Sequence, residues 1–120
     1  MGRIFIVDDS RTARKVLKSV LEENGHEVIG EAGNGEEALR LIPEEAVDLI
    51  TMDITMPIMD GIETLKKLVE RGTKAKVVMV SASAQRDKIL EALKSGACEF
   101  LQKPFEFHQV VETVNKLVKE

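Results

Sequence analysis

The sequence predicts an α/β protein of the doubly wound (βα)5 kind, a five-stranded parallel sheet in the order 2-1-3-4-5 with helices on both faces. Three observations carry this expectation. Short apolar, β-branched runs alternate five times with longer segments of helical spacing, a pattern that implies right-handed crossovers and a parallel sheet. The runs at Ile4–Val7 (IFIV), Leu49–Asp53 (LITMD) and Val77–Ser81 (VVMVS) are almost continuously apolar, as befits strands covered on both faces. Of the two common doubly wound orders, five strands suit 2-1-3-4-5, whose switch point lies between the first and third strands.

Each element has its own signal. After the strand Ile4–Val7, residues Val16, Leu17, Val20 and Leu21 form one apolar stripe, and Arg11, Arg14, Lys15 and Lys18 lie on another face. Gly25, just after Asn24, reads as that helix's stop. The run Glu27–Ala32 is more polar and contains Gly30, which places it at a sheet edge. Asn34 with Glu37, and Asp60 with Glu63, have capping-box spacing and start the second and third helices. Pro43 ends the second helix near Ile42. Ile62, Leu65, Leu68 and Val69 make the third helix amphipathic, and Ile89 with Leu93 does the same for the fourth. The strand Glu99–Gln102 is the fifth, and Val110, Val114, Leu117 and Val118 give the last helix its apolar face.

Composition narrows the function classes. A chain of 120 residues without repeat, linker or low-complexity tract is expected to be one domain spanning 1–120. Hydrophobic content of 43% beside 32% charged residues fits a globular protein. The formal net charge of −4 argues against nucleic-acid or anionic-membrane binding. The single cysteine, Cys98, cannot form an internal disulfide, so a reducing cytoplasm is expected. No apolar run has the length of a membrane span, and no signal peptide is evident. Cys98 is expected to pack as a small apolar residue and His26 and His108 to be isolated and exposed. Met52, Met56, Met59 and Met79 read as core filling, Met56 and Met59 being the nearest to solvent.

Chemistry concentrates at the carboxyl ends of the strands. Asp8 and Asp9 leave the first strand and Asp53 leaves the third, which is its neighbour. Singly, each has an ordinary explanation, as a helix cap or an Asx-turn. Together they are costly, because two carboxylates about 4 Å apart repel by roughly 4 kcal/mol at an effective dielectric of ~20. Either one holds a proton or a cation sits among them, and an all-oxygen acidic set without His or Cys suits Mg²⁺. Ser81 ends the fourth strand and Lys103 follows the fifth. A metal and a lysine can clamp the oxygens of a transferring phosphoryl group, a serine hydroxyl can bind another, and an aspartate can act as nucleophile.

The segments VDDS, LITMDITMPIMDG, VSAS and LQKPF, in this order and spacing, resemble the receiver domain of bacterial response regulators. The likeness runs from about Arg3 to about Lys119, and is strongest to stand-alone chemotaxis regulators of the CheY type. It implies a flavodoxin-like fold with Asp53 as phosphoacceptor. Asp8 and Asp9 would hold Mg²⁺ together with Asp53 and the backbone carbonyl of Thr55. Ser81 would be the hydroxyl that follows the phosphoryl group, Lys103 its positive partner and Phe100 the switch aromatic. Thr55 and Ser83 take the positions that tune phosphoryl lifetime, and the bond before Pro104 would be cis, a form taken by only about 5–6% of X–Pro bonds. The best-studied chemotaxis regulators carry Tyr at the switch position, so Phe100 lacks a hydroxyl that they have.

The implied partners are a histidine kinase of the CheA-like kind, an output protein such as a flagellar motor switch component, and a phosphatase. The chain itself is expected to be a cytoplasmic monomer that touches neither nucleic acid nor membrane. It is read as a signalling switch that catalyses its own phosphorylation and dephosphorylation rather than as an enzyme with a separate substrate. A phosphorelay receiver, or a receiver cut from a longer regulator, is the alternative. An aspartate-nucleophile phosphatase fits less well, because that class needs a second acid two residues after the nucleophile, where Thr55 stands. A flavin carrier is disfavoured by the acidic mouth and the absence of Trp and Tyr. Gly33-Asn-Gly-Glu-Glu-Ala38 matches a dinucleotide-binding pattern, but Asn34 reads as a cap and Glu36 and Glu37 would repel a pyrophosphate. The basic face of the first helix is either a solvated surface or, as the resemblance implies, the side that meets the kinase.

Overall fold

The computed structural model describes residues 1–82 and 86–118; Ser83 lies outside the described residues. Among the described residues five strands and five helices alternate: β1 (Arg3–Val7), α1 (Arg11–Glu23), β2 (Glu27–Ala32), α2 (Gly35–Leu41), β3 (Leu49–Asp53), α3 (Gly61–Glu70), β4 (Lys76–Ser81), α4 (Arg86–Lys94), β5 (Glu99–Gln102) and α5 (Phe107–Val118). All strand pairs are parallel and the order is β2-β1-β3-β4-β5. The expected topology and edge position of β2 are therefore correct.

Strand alternation divides the core into two layers. Phe5, Val7, Ile50, Met52, Val77 and Met79 face one side, where Ala38, Ile62, Leu65, Leu68 and Ala92 of α2, α3 and α4 cover them. Ile4, Ile6, Leu49 and Val78 face the other, beneath Leu17 and Leu21 of α1 and Val110 and Val114 of α5. Continuing the alternation by one residue puts Asp8, Asp53 and Lys103 on the α1/α5 side and Ser81 with Phe100 on the α4 side.

The helix ends follow the expected chemistry. Asn34 Oδ1 accepts from the Glu37 amide at 2.8 Å, and Asp60 Oδ1 from the Glu63 amide at 2.8 Å. Ile42 is the C-cap of α2, immediately before Pro43, and Gly25 follows the α1 C-cap Asn24 with φ of +88°. Glu37 also accepts from the Gly33 amide at 2.7 Å. A carboxylate thus occupies the place that a pyrophosphate would need, which supports the rejection of a dinucleotide loop.

Several side chains differ from expectation. His26 is buried, not exposed: the Gly2 amide donates to its Nδ1 at 3.0 Å, and Nε2 lies 2.7 Å from Asn115 Oδ1. It closes the sheet's amino-terminal end against α5, a long-range role that leaves no local pattern. Cys98 is exposed rather than packed, because it only opens the edge strand β5, through its amide to Val77 O at 2.8 Å. Val16 (39% exposed) and Val69 lie at the margins of their helical stripes. In α4 the buried residue is Ala92; Ile89 is half-buried and Leu93 exposed. Met52, Met56 and Met79 are buried and Met59 half-buried, in line with core filling.

Candidate phosphoacceptor site

β1 delivers Asp8 to the sheet's carboxyl end, and four contacts hold that residue. Its amide donates to Ala32 O (3.0 Å), and its carbonyl accepts from Arg14 Nη1 (2.6 Å). Oδ1 accepts from the Ser10 amide (2.8 Å) and Oδ2 from Lys103 Nζ (2.9 Å). Asp9 stays exposed, and Ser10, not Asp9, caps α1 by accepting from the Ala13 amide at 3.1 Å.

β3 delivers Asp53 beside them. The loop that follows folds back tightly: the Gly61 amide donates to Ile54 O at 2.7 Å, and a β-carbon on Gly61 would stand 2.0 Å from the Asp53 carbonyl oxygen. Only glycine permits α3 to begin so close to Asp53. Within this loop Thr55 is exposed. The Met59 amide donates to Pro57 O at 2.7 Å around Ile58, which has φ of +72°, a γ-turn geometry that is rare for any residue and strained for a β-branched one.

Oxygen atoms of Asp8, Asp9 and Asp53 lie within 4.8 Å of one another. Lys103 spans the group, with Nζ 2.9 Å from Asp8 Oδ2 and 3.6 Å from Asp53 Oδ2. Burial above all, with the charges of Asp8 and Asp9, raises Asp53 from its ordinary 3.8 to about 6, against the lowering pull of Lys103 and of the Ile54 amide. Burial alone would lower the Lys103 ammonium, but the Asp8 hydrogen bond and the Asp53 charge outweigh it and hold Lys103 above its ordinary value. One ammonium among three acids leaves the mouth short of positive charge, and the all-oxygen donor set fits a hard divalent cation.

Ser81 is buried at the end of β4, and its carbonyl accepts from the Lys103 amide at 2.7 Å. The Lys103–Pro104 bond is cis, as the resemblance implied. Phe100, two residues before the end of β5, rests half-buried against the α4-side core. The structure therefore brings Asp8, Asp9, Asp53, Ser81 and Lys103 to one mouth, with Phe100 one layer below.

Residues 4–115 match the family described as the response regulator receiver domain. The chain belongs to the response regulator receiver family. Among the relatives of this receiver, the chemotaxis protein CheY of Bacillus subtilis is 44% identical over 114 residues, covering 95% of each chain. CheY of Thermotoga maritima is 44% identical over 117 residues, covering 98% of each. Among solved structures, the CheX–CheY complex with BeF₃ and Mg²⁺ from Borrelia burgdorferi superposes with a TM-score of 0.92 at 33% identity, covering 99% of this receiver and 90% of that chain.

Arg14 is the residue near the site that sequence reasoning misplaced. Rather than standing on a solvated basic face, it is half-buried, its Nε 2.8 Å from Glu31 Oε1 and its Nη1 on the Asp8 carbonyl. The signal was available: Arg14 stands three and seven residues before Leu17 and Leu21, both buried, so it borders the apolar stripe. Arg11, Lys15 and Lys18 are exposed, as a solvated face requires.

Proposed function

We propose that this receiver takes a phosphoryl group from the phosphohistidine of a histidine kinase onto Asp53, in a step that depends on Mg²⁺, and acts as a chemotaxis switch. The observation that carries this reading is the cluster of three carboxylates with Lys103 laid across Asp8 and Asp53. Asp8, Asp9, Asp53 and the Thr55 backbone carbonyl would hold Mg²⁺, which offsets negative charge at the acceptor and on the phosphoryl oxygens. As the Asp53 oxygen bonds to phosphorus, the P–N bond breaks and its electron pair leaves with the imidazole. Lys103 turns from the carboxylates to a phosphoryl oxygen, and the Ser81 hydroxyl donates to another. Water later attacks phosphorus, releasing inorganic phosphate and restoring the Asp53 carboxylate.

In the proposed switch, inward movement of Ser81 frees space on the α4 side for Phe100, and the face of α4, β5 and α5 changes its affinity for an output partner. CheY relatives at 44% identity over nearly their whole length support chemotaxis; a flagellar motor component would then be the output, and a phosphatase would end the signal. Residues 1–120 would then act as one receiver domain, monomeric and cytoplasmic. Ser83 and Thr55 are proposed to tune the lifetime of the phosphoryl group.

The test is phosphorylation with a small-molecule phosphodonor and Mg²⁺, read by intact mass. One acid-stable, base-labile phosphoryl group is expected on wild type, and none on Asp53→Asn or with Mg²⁺ chelated. Undiminished labelling of Asp53→Asn would overturn the assignment. For the pathway, deletion in the source cell should abolish the response to attractants while leaving swimming intact.

A further inference from the structure

We propose that Arg14 is a positioning residue for the acid pair: it fixes the Asp8–Asp9 peptide and thereby sets how tightly the mouth takes a divalent cation. This rests on the reading of Asp8, Asp9 and Asp53 as the Mg²⁺ site.

The Asp8 carbonyl belongs to the peptide unit that leads into Asp9, and that unit is planar. A donor 2.6 Å from this oxygen fixes the plane and so the course of the chain into Asp9. Among the described residues no other group holds that oxygen, whereas the Asp8 amide and both its carboxylate oxygens have their own partners, Ala32, Ser10 and Lys103. The other end of the guanidinium is fastened to rigid sheet. Glu31 sits in the β1–β2 ladder opposite Ile6, and its Oε1 receives Arg14 Nε at 2.8 Å. Arg14 is therefore a strut between the first turn of α1, the end of β1 and the end of β2, with only 17% of its side chain exposed.

Its effect on the mouth is one of shape more than of field, because the ion pair with Glu31 neutralises its charge locally. Shape also explains why the residue is arginine. A planar fork offers two donors at fixed separation, one for Glu31 and one for the Asp8 carbonyl, and an ammonium cannot satisfy both along those directions. Groups that orient metal ligands from behind commonly govern metal affinity by 10–100-fold.

The experiment is calorimetric titration of metal-free protein with MgCl₂, comparing wild type with Arg14→Lys, Glu31→Gln, Lys18→Gln and Asp9→Asn, alongside thermal melts in EDTA. Arg14→Lys should weaken Mg²⁺ binding by about tenfold and Glu31→Gln by a smaller factor, with both variants still folded at the temperature of titration. Lys18→Gln, which removes an exposed charge from the same helix, should leave the affinity unchanged. Arg14→Lys binding within about twofold of wild type would overturn the inference. So would an equal loss in Lys18→Gln, since that would make the effect a general field. Wild-type uptake that Asp9→Asn does not reduce would overturn the metal reading, and this inference with it. Wild-type uptake lost in Asp9→Asn but kept in Arg14→Lys would overturn this inference alone.

Discussion

At the scale of single residues, the site is a place where stability has been given up. Asp53 holds its proton to about 6 because it is buried among acids. Between its ordinary 3.8 and that value the folded chain binds the proton more tightly than the unfolded chain, so stability falls as pH rises through that window and stays low above it. A shift of this size is worth at most about 3 kcal/mol, and solvent at the mouth reduces it to roughly 1–2 kcal/mol. Metal-free Asp53→Asn should therefore be more stable than wild type at pH 7–8 by about that amount, with the gap closing by pH 4, as read from urea midpoints in EDTA. Equal midpoints at pH 7–8 would refute it. Ile58 is a second such place, 74% exposed and held at φ of +72°. Ile58→Asn should raise stability by about 1 kcal/mol, since asparagine tolerates this region far better; a destabilised variant in chemical unfolding would show that the loop is not strained. Asp8, Asp9, Asp53, Ser81 and Lys103 were legible in the sequence because a strand's end fixes where the next side chain emerges. His26 and Cys98 were misread, since their environments depend on residues far away along the chain.

At the scale of elements, the strands and caps could be read almost residue by residue, because each depends on neighbours within four positions. The Asn34 and Asp60 caps form as the spacing demanded. Helix faces were read less well. An apolar residue at the edge of a stripe, such as Val16, Val69 or Leu93, has the same spacing whether or not a neighbour covers it. The consequence is sharpest in α4, which buries Ala92 alone, whereas α3 buries Ile62, Leu65 and Leu68 as well as Gly61 and Thr64. Little apolar area holds α4 to the sheet, so it should open more readily. Hydrogen exchange should show α4 amides exchanging at least about tenfold faster than those of α3, and equal protection would contradict this account. A lightly held helix also suits the surface that is proposed to change on phosphorylation.

At the scale of the whole molecule, the strand order was legible from the count and polarity of the strands, and it brings β1 and β3 together at the switch point. The opposite end was not legible. There the buried His26 ties Gly2 at the start of β1 to Asn115 on α5. His26→Ala should cost on the order of 2–3 kcal/mol, through a cavity and two unpaired groups. It should leave Mg²⁺ affinity intact, because it acts at the far end of the sheet; an equal loss of Mg²⁺ binding would show that the two ends are coupled. The two ends also differ in when they come into being. Lys103 reaches Asp8 across 95 positions of sequence, and its amide is bound to β4. A chain emerging from the ribosome carries all three aspartates long before it carries their ammonium. The mouth therefore cannot be assembled until the last strand has docked, so a half-made receiver has three clustered acids and no cation of its own to hold them.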